Sequence, residues 1–264
     1  MTANFAMATP VALEARLREC PLVKTLGVRP NFSDYSEEDR LLIERAHKIY
    51  YPSSFYADLF DTMGKTTFPS YHTYKFSQDK IKQTALFNLS GISHPRTRVF
   101  YGKRQKRKIM DHFDFPFIAK IARGSALGRG VFLIRSFEEL VRYLGNKGPA
   151  YIQEYLPIDR DIRVVVIGNK VAHAYWRLAP KDEYRTNVAA GGQVDLSPVP
   201  EDALKLAIHT ARLCRWDDVG IDICLHNGTY YVLEGNMKYG REGFQKAGID
   251  YQKLMSDLIE QGEI

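Results

Sequence analysis

Asp222, Glu234 and Asn236 are three oxygen-bearing side chains carried on two neighbouring strand-like runs. The first run is Val219-Gly220-Ile221-Asp222-Ile223-Cys224-Leu225 and the second is Tyr230-Tyr231-Val232-Leu233-Glu234-Gly235-Asn236. His226-Asn227-Gly228-Thr229 between them has the composition of a hairpin turn. Side chains alternate along a strand, so Glu234 and Asn236 share a face while Leu233 points the other way. The place of Asp222 depends on register. A two-residue Asn227-Gly228 loop sets it opposite Leu233, whereas a three-residue loop with Gly228 at a bulge sets it opposite Glu234. Only the second register makes a metal site. Mg²⁺ prefers hard oxygen ligands and takes one or two carboxylates together with substrate phosphates, so the trio points to an enzyme that uses ATP.

A second feature agrees with phosphate chemistry. Phe115-Pro116-Phe117-Ile118-Ala119-Lys120-Ile121 is a predicted strand, followed by Arg123-Gly124-Ser125-Ala126-Leu127-Gly128-Arg129-Gly130 and by a further strand at Val131-Phe132-Leu133-Ile134. A P-loop or a Rossmann turn feeds a helix, and this loop does not. It is a glycine-rich flap between two strands, able to wrap phosphate oxygens with backbone N–H groups and to close over a nucleotide. Lys120, ending the incoming strand, could reach those phosphates as a point charge. The next helix opens with the capping box Ser136-x-x-Glu139 and stops at Gly145.

Further on, Ala150-Tyr151-Ile152-Gln153-Glu154-Tyr155-Leu156-Pro157 is a strand halted by proline, and such an end offers an apolar slot and backbone hydrogen bonds to an adenine. Asp161 to Ile167 turns at Gly168-Asn169 into Lys170 to Leu178, a second hairpin. Arg177, which has no acidic partner close by in sequence, Arg185, and Asn187 ahead of Gly191-Gly192 add cationic and polar groups between two hairpins.

These groups need a scaffold, and 264 residues suffice for two compact units or one large α/β unit. Thr25 to Phe32 is a predicted strand, Ser36 to Ala46 a capped helix, Ile49 to Tyr51 a short strand, and Ser54 to Met63 a helix closed by Gly64. Two βα-like units with two or three strands make a small N-terminal domain that must dock on the larger remainder of the chain. Ser77 is the predicted cap of a helix running to about Leu89 and stopped by Gly91 and Pro95.

The hydrophobic content of 45% and charged content of 26% are those of an ordinary globular protein. No apolar run is long enough to cross a bilayer and no leader pattern opens the chain, so a cytoplasmic protein is expected. Cys20, Cys214 and Cys224 are odd in number and widely spaced, which argues against a disulfide framework or a zinc site. The formal charge of +6 suits an anionic partner. Much of it lies in Lys103, Arg104, Lys106, Arg107 and Lys108, where no alternating aromatics supply the stacking platform of a nucleic-acid binder.

The order of parts resembles the ATP-grasp superfamily, and within it the RimK-type glutamate ligases. The matching runs are Asp79-Lys80, Phe117-Ile118-Ala119-Lys120, Gly124-Ser125-x-x-Gly128-x-Gly130-Val131, Gln153-Glu154-Tyr155, Asp161-Ile162-Arg163, Tyr184-Arg185-Thr186-Asn187 with Gly191-Gly192, Gly220-Ile221-Asp222 and Glu234-Gly235-Asn236. The resemblance implies an α+β fold: residues 77–264 as an ATP-grasp domain of two lobes, 77–149 with the flap and 150–264 with the metal site, preceded by a short α/β domain over 1–76. It places ATP against Lys80, Lys120, Gly124, Ser125, Gly128 and Gly130, with Gln153, Glu154, Tyr155 and Leu156 as the hinge at the adenine. Asp161 would contact the ribose and Asn187 the phosphate and metal end. Mg²⁺, for which Mn²⁺ could substitute, would sit on Asp222, Glu234 and Asn236, and Arg177 and Arg185 would stabilise the transferred phosphoryl group.

The implied chemistry is carboxylate activation, in which ATP makes an acyl phosphate and an amine displaces the phosphate to leave an amide. Positioning and electrostatics carry such reactions. The family usually has an apolar residue where Gly235 stands and a Pro-Gly pair where Met237-Lys238-Tyr239-Gly240 follows. Lys238 and Arg241, just beyond, are candidates to bind a substrate carboxylate. The alternatives are a nucleotide-binding regulatory protein or an ATP-grasp kinase; self-association is left open, and nucleic acid and membrane are not expected partners.

Overall fold

The computed structural model describes residues 10–77, 79–122, 130–181, 186 and 191–264. The N-terminal part is built from β1 (Val11–Ala12), β2 (Lys24–Thr25), α1 (Glu37–Arg45), β3 (Lys48–Tyr50), α2 (Ser53–Thr62) and β4 (Thr66–Phe68). Its four short strands are parallel, in the order β2-β1-β3-β4. Ser36 caps α1 by accepting from the Asp39 amide at 3.1 Å, with Glu37, Glu38 and Asp39 in the positive first turn. Of the strand predicted from Thr25 to Phe32 only Thr25 lies in a strand, as the end of β2, and Phe32 opens a 3-10 turn; β1 and β4 are additional. Parallel strands this short are held by crossover packing and have no room to show a two-residue period.

Next come α3 (Tyr71–Ser77) and α4 (Lys80–Ser90), then β5 (Thr97–Phe100), α5 (Gly102–Lys106), β6 (Phe117–Lys120), β7 (Val131–Ile134), α6 (Phe137–Leu144) and β8 (Ala150–Glu154). Ser77 closes α3 rather than capping the following helix; Asp79 caps α4, accepting from Lys82 N at 3.1 Å, and Gly91 ends it in the left-handed conformation. β8 lies in an antiparallel sheet of order β5-β8-β6-β7. The predicted division at residue 150 therefore assigns this strand to the wrong sheet. Its hydrophobic run is buried between β5 and β6, so the chain passes to the next sheet only after Glu154.

The last sheet holds β9 (Arg160–Ile167), β10 (Lys170–Leu178), β11 (Gln193–Asp195), β12 (Asp218–His226) and β13 (Thr229–Asn236), with α7 (Glu201–Cys214), α8 (Glu242–Lys246) and α9 (Tyr251–Glu260). Its order is β11-β10-β9-β12-β13, antiparallel throughout. β9 is buried from Asp161 onward and apolar over Val164 to Ile167, as befits a central strand, while Asp161 and Arg163 bring charge to its first half. One core joins Leu17, Tyr50 and Phe68 of the N-terminal part to Val165, Phe244 and Met255. The small parallel sheet thus completes its apolar packing on the last sheet and its helices, as its size requires.

Candidate active site

The two antiparallel sheets face each other across a cleft with about 700 Å³ of free space. Ile118, Val131, Leu156, Ile158 and Leu233 line it with apolar surface, and Lys120, Asp161, Arg177, Thr186, Asp222 and Glu234 bring polar groups. A cleft with apolar walls and a few convergent charges suits a small-molecule ligand.

Asp222 stands opposite Glu234, the register that a metal site needs, but the loop is not what sets it. Asn227 and Gly228 form a two-residue turn, both with positive φ (48° and 75°), and His226 pairs with Thr229. The register then shifts between Asp222 and Ile223, where Leu233 is the extra residue of a β-bulge. The bulge also turns Leu233 into the same cleft as Glu234, contrary to the strict alternation expected from sequence.

The Asn236 amide donates to Glu234 Oε1 at 2.6 Å, and Lys80 Nζ approaches Glu234 Oε2 at 3.5 Å. Burial alone would raise the Glu234 carboxyl, but Lys80, Lys120, the Asn236 amide and Arg163 outweigh it and hold it down at about 2. Lys120 is buried, and desolvation lowers its ammonium below the usual lysine range against the opposing pull of Glu234.

Arg177 has the acidic partners that its local sequence lacks. It lies opposite Asp161 in the β9–β10 ladder and holds that carboxylate with two hydrogen bonds, at 2.7 and 2.5 Å. Its Nη2 also lies 2.9 Å from Asp222 Oδ2. Arg163, opposite Asp222 on β12, grips the same carboxylate through Nε and, at 3.0 Å, through Nη2. Thr186 Oγ1 donates to Asp161 at 2.6 Å. All four charged residues are buried, so they form a compensated row across three strands. Burial works against the Arg177 charge, yet Asp161 and Asp222 more than restore it.

Of the other predicted site residues, Tyr155 and Leu156 line the cleft just past the last paired residue of β8. Gln153 and Glu154 also line the cleft, with their side chains tied to the same sheet: Gln153 donates to Thr97 Oγ1 at 2.9 Å, and Glu154 accepts from Arg96 N at 2.5 Å. Gly130 has φ +87° and its carbonyl accepts from Ile121 N at 2.8 Å, closing the base of the flap. Gly124, Ser125, Gly128, Arg185 and Asn187 lie outside the described residues. Lys238 is exposed, and Arg241, also exposed, lays its guanidinium over the Tyr251 ring at 4.5 Å; neither lines the cleft.

Among the described residues no three carboxylate, imidazole or thiolate groups converge as a metal cluster. Glu234 and the amide oxygen of Asn236 nevertheless fit a hard divalent ion shared with phosphate oxygens. Asp222, on the facing strand, is engaged by Arg163 and Arg177.

A family model described as a RimK-like ATP-grasp domain matches residues 77–259. The chain belongs to the RimK-like ATP-grasp family. A probable α-L-glutamate ligase of Shewanella loihica is 31% identical over 193 residues, covering 70% of this chain and 64% of that protein. The ribosomal protein bS6–L-glutamate ligase of Escherichia coli O6:H1 is 29% identical over 192 residues, with coverage of 70% and 64%. A coenzyme γ-F420-2:α-L-glutamate ligase of Methanococcus maripaludis is 28% identical, covering 69% and 66%. The chain spans less than two thirds of the length of each of these three relatives, and 44% of a fourth. In fold it is similar to the ATP-grasp ligase PsnB bound to precursor peptide PsnA2 and AMPPNP, with a TM-score of 0.70, 17% identity and 98% coverage of each chain. D-alanine–D-alanine ligase of Bacillus anthracis with ATP gives 0.69, 14% and 97% of each.

Trp216 accounts for the glycine at position 235. A Cβ there would lie 2.4 Å from Trp216 Cζ3, so the indole occupies the space. Gln83 of α4 then clamps the Gly235 backbone from the other side, donating to its carbonyl at 2.8 Å and accepting its N–H at 2.9 Å. Neither Gln83 nor Arg163 carries an expected role in the sequence, because each acts through a partner on another element. Arg16 is a further residue of this kind. It donates to Met237 O at 3.2 Å and to Asp218 Oδ2 at 3.3 Å, and Asp218 also accepts from Tyr51 and Tyr239 at 3.0 and 2.7 Å.

Proposed function

We propose that the chain is an ATP-dependent carboxylate–amine ligase that forms an amide through an acyl phosphate. The observation that carries it is the convergence of Lys80, Lys120, Glu234 and Asp222 at the polar end of a cleft lined by Ile118, Leu156 and Leu233. Ile118, Leu156 and Leu233 would pack the adenine, and the chain leaving β8 at Tyr155 would read its edge. Lys120 would bind the phosphates of ATP, with Lys80 beside it. Mg²⁺ would be held by Glu234 and Asn236, joined by Asp222, and when bound it would supply positive charge next to the phosphate oxygens. Arg177 would turn from Asp222 toward the transferred phosphoryl group while Asp161 keeps its orientation. The names of the relatives favour an amino acid, glutamate first, as the amine, and a small molecule, peptide or protein as the carboxylate.

The test is interception of the acyl phosphate. With a carboxylate substrate and no amine, hydroxylamine should give a hydroxamate only when ATP and Mg²⁺ are both present. A phosphorylated alcohol with no hydroxamate would retire the ligase in favour of a kinase.

A further inference from the structure

Charge is distributed very unevenly along this chain. Residues 77–149 contain 15 lysines and arginines against 5 aspartates and glutamates, a net +10; the remainder contains 22 against 26, a net −4, and the two add to the +6 of the whole. The nucleotide cleft uses Lys80 and Lys120. It does not use Lys103, Arg104, Lys106, Arg107 and Lys108, which lie on α5 and the turn after it.

Four of these five side chains are exposed, Lys106 is half-buried, and none of the five forms an ion pair among the described residues. Like charges this close repel one another, and a solvated helix face usually interleaves acids to relieve that. The platform beneath is a packed apolar core. Ile109 and Phe113, directly after the cluster, are buried against Phe100, Phe117 and Ala150. Beside α5 lies a second cavity, with about 650 Å³ of free space, between Lys106 and the Asn146-Lys147 end of α6. Its floor is apolar, from Ile121, Leu144 and Pro149. Lys147 likewise makes no ion pair among the described residues.

We infer that this face of the N-lobe, α5 together with the cavity between Lys106 and Lys147, is a docking surface for an acidic polypeptide segment. An aliphatic floor flanked by two ammonium groups matches a side chain with an apolar stem and a carboxylate tip, as glutamate has. The row along α5 meets further carboxylates of the same segment. A single-stranded nucleic acid fits less well: bases need aromatic rings to stack on, and among residues 96–114 Tyr101 carries the one exposed phenyl-type ring.

The cavity lies behind the strand that carries Lys120, whose backbone carbonyl accepts from Tyr143 Oη at 2.8 Å, and Tyr143 also lines the cavity. The docked segment is therefore distinct from the carboxylate that reacts. Its effect would be to hold an acidic protein or peptide substrate near the cleft at high effective concentration. This deepens the ligase proposal, and it is tested by binding without nucleotide, so its failure and that of the ligase proposal are separable.

Fluorescein-labelled polyglutamate and a polyuridylate of equal charge are titrated with the full chain, and anisotropy is followed between about 50 and 200 mM salt. The comparison is with a variant carrying glutamine at Lys103, Arg104, Lys106, Arg107 and Lys108, and with Lys147→Glu as an independent single change should the first fail to fold. The expected result is polyglutamate binding that weakens linearly in log salt and that drops about tenfold or more in either folded variant, with melting temperature and ATP affinity unchanged. Absence of polyglutamate binding at the lowest salt, binding by the folded variants equal to that of the unaltered chain, or tighter binding of polyuridylate would each overturn it.

Discussion

Arg16 donates a hydrogen bond to the carbonyl of Met237, the residue next to Asn236, from a turn more than two hundred positions earlier in the chain. The same guanidinium lies over the Tyr51 and Tyr239 rings and faces the fully buried Asp218. The N-terminal sheet is thereby fastened to the segment that leaves the candidate metal site. Tyr239 extends the connection, because its hydroxyl binds Asp218 while its carbonyl accepts from Arg163, which grips Asp222.

Arg16→Ala should therefore cost about 3 kcal/mol or more, as expected when a buried carboxylate loses its cation. Thermal unfolding measures that loss. Arg16→Lys should recover part of the stability while the Mg²⁺ requirement for turnover still shifts to higher concentration. A variant with full stability and unchanged Mg²⁺ dependence would show that the contact does no positioning.

Glu234→Gln should abolish turnover and leave the fold intact. The change keeps the shape but removes the carboxylate that Lys80 and Lys120 hold ionised, and with it the anionic ligand best placed for Mg²⁺. Undiminished Mg²⁺-dependent ATP consumption in a folded variant would remove Glu234 from the site.

Gly235→Ala tests the packing of Trp216. The added methyl cannot fit 2.4 Å from the indole, so the strand or the ring must move, at a cost of about 1–3 kcal/mol. Turnover should fall as well, because Glu234 and Asn236 flank the displaced residue. Trp216→Leu in the Gly235→Ala background should restore part of both properties, and a double-mutant cycle in urea measures the coupling.

Arg177→Met should lower hydroxamate trapping about a hundredfold or more if the guanidinium turns to the phosphoryl group. It should also destabilise, since Asp161 is left with Thr186 as its remaining hydrogen-bond donor from a side chain among the described residues. Asp161→Asn in that background removes the orphaned charge and should regain stability without regaining trapping. Recovery of both together would make the pair purely structural.

Much of the last sheet is legible in the sequence, because its strands are long, apolar and joined by Gly168-Asn169 and Asn227-Gly228 turns. The facing of Asp222 and Glu234 is legible only as a choice between registers. The choice is made by a bulge at Leu233, and nothing in the residue types there announces it. Arg177 looks unpaired because Asp161 is adjacent only once β9 and β10 are laid side by side. Ser77 and Asp79 compete as caps, and the aspartate wins because α3 has already taken Ser77 as its last residue.

The compensated row has an electrical consequence for the cleft. Asp161, Arg163, Arg177 and Asp222 cancel in pairs, so among the described residues the field along the cleft comes from what remains, Lys80 and Lys120 against Glu234. That remainder is positive, but too small to neutralise a triphosphate. A nucleotide entering without its metal would leave the interior with excess negative charge, whereas one that arrives already complexed nearly balances it. Under the proposed function, the cleft is thus a receptor for the metal–nucleotide pair, and it should discriminate against free ATP before any chemistry begins.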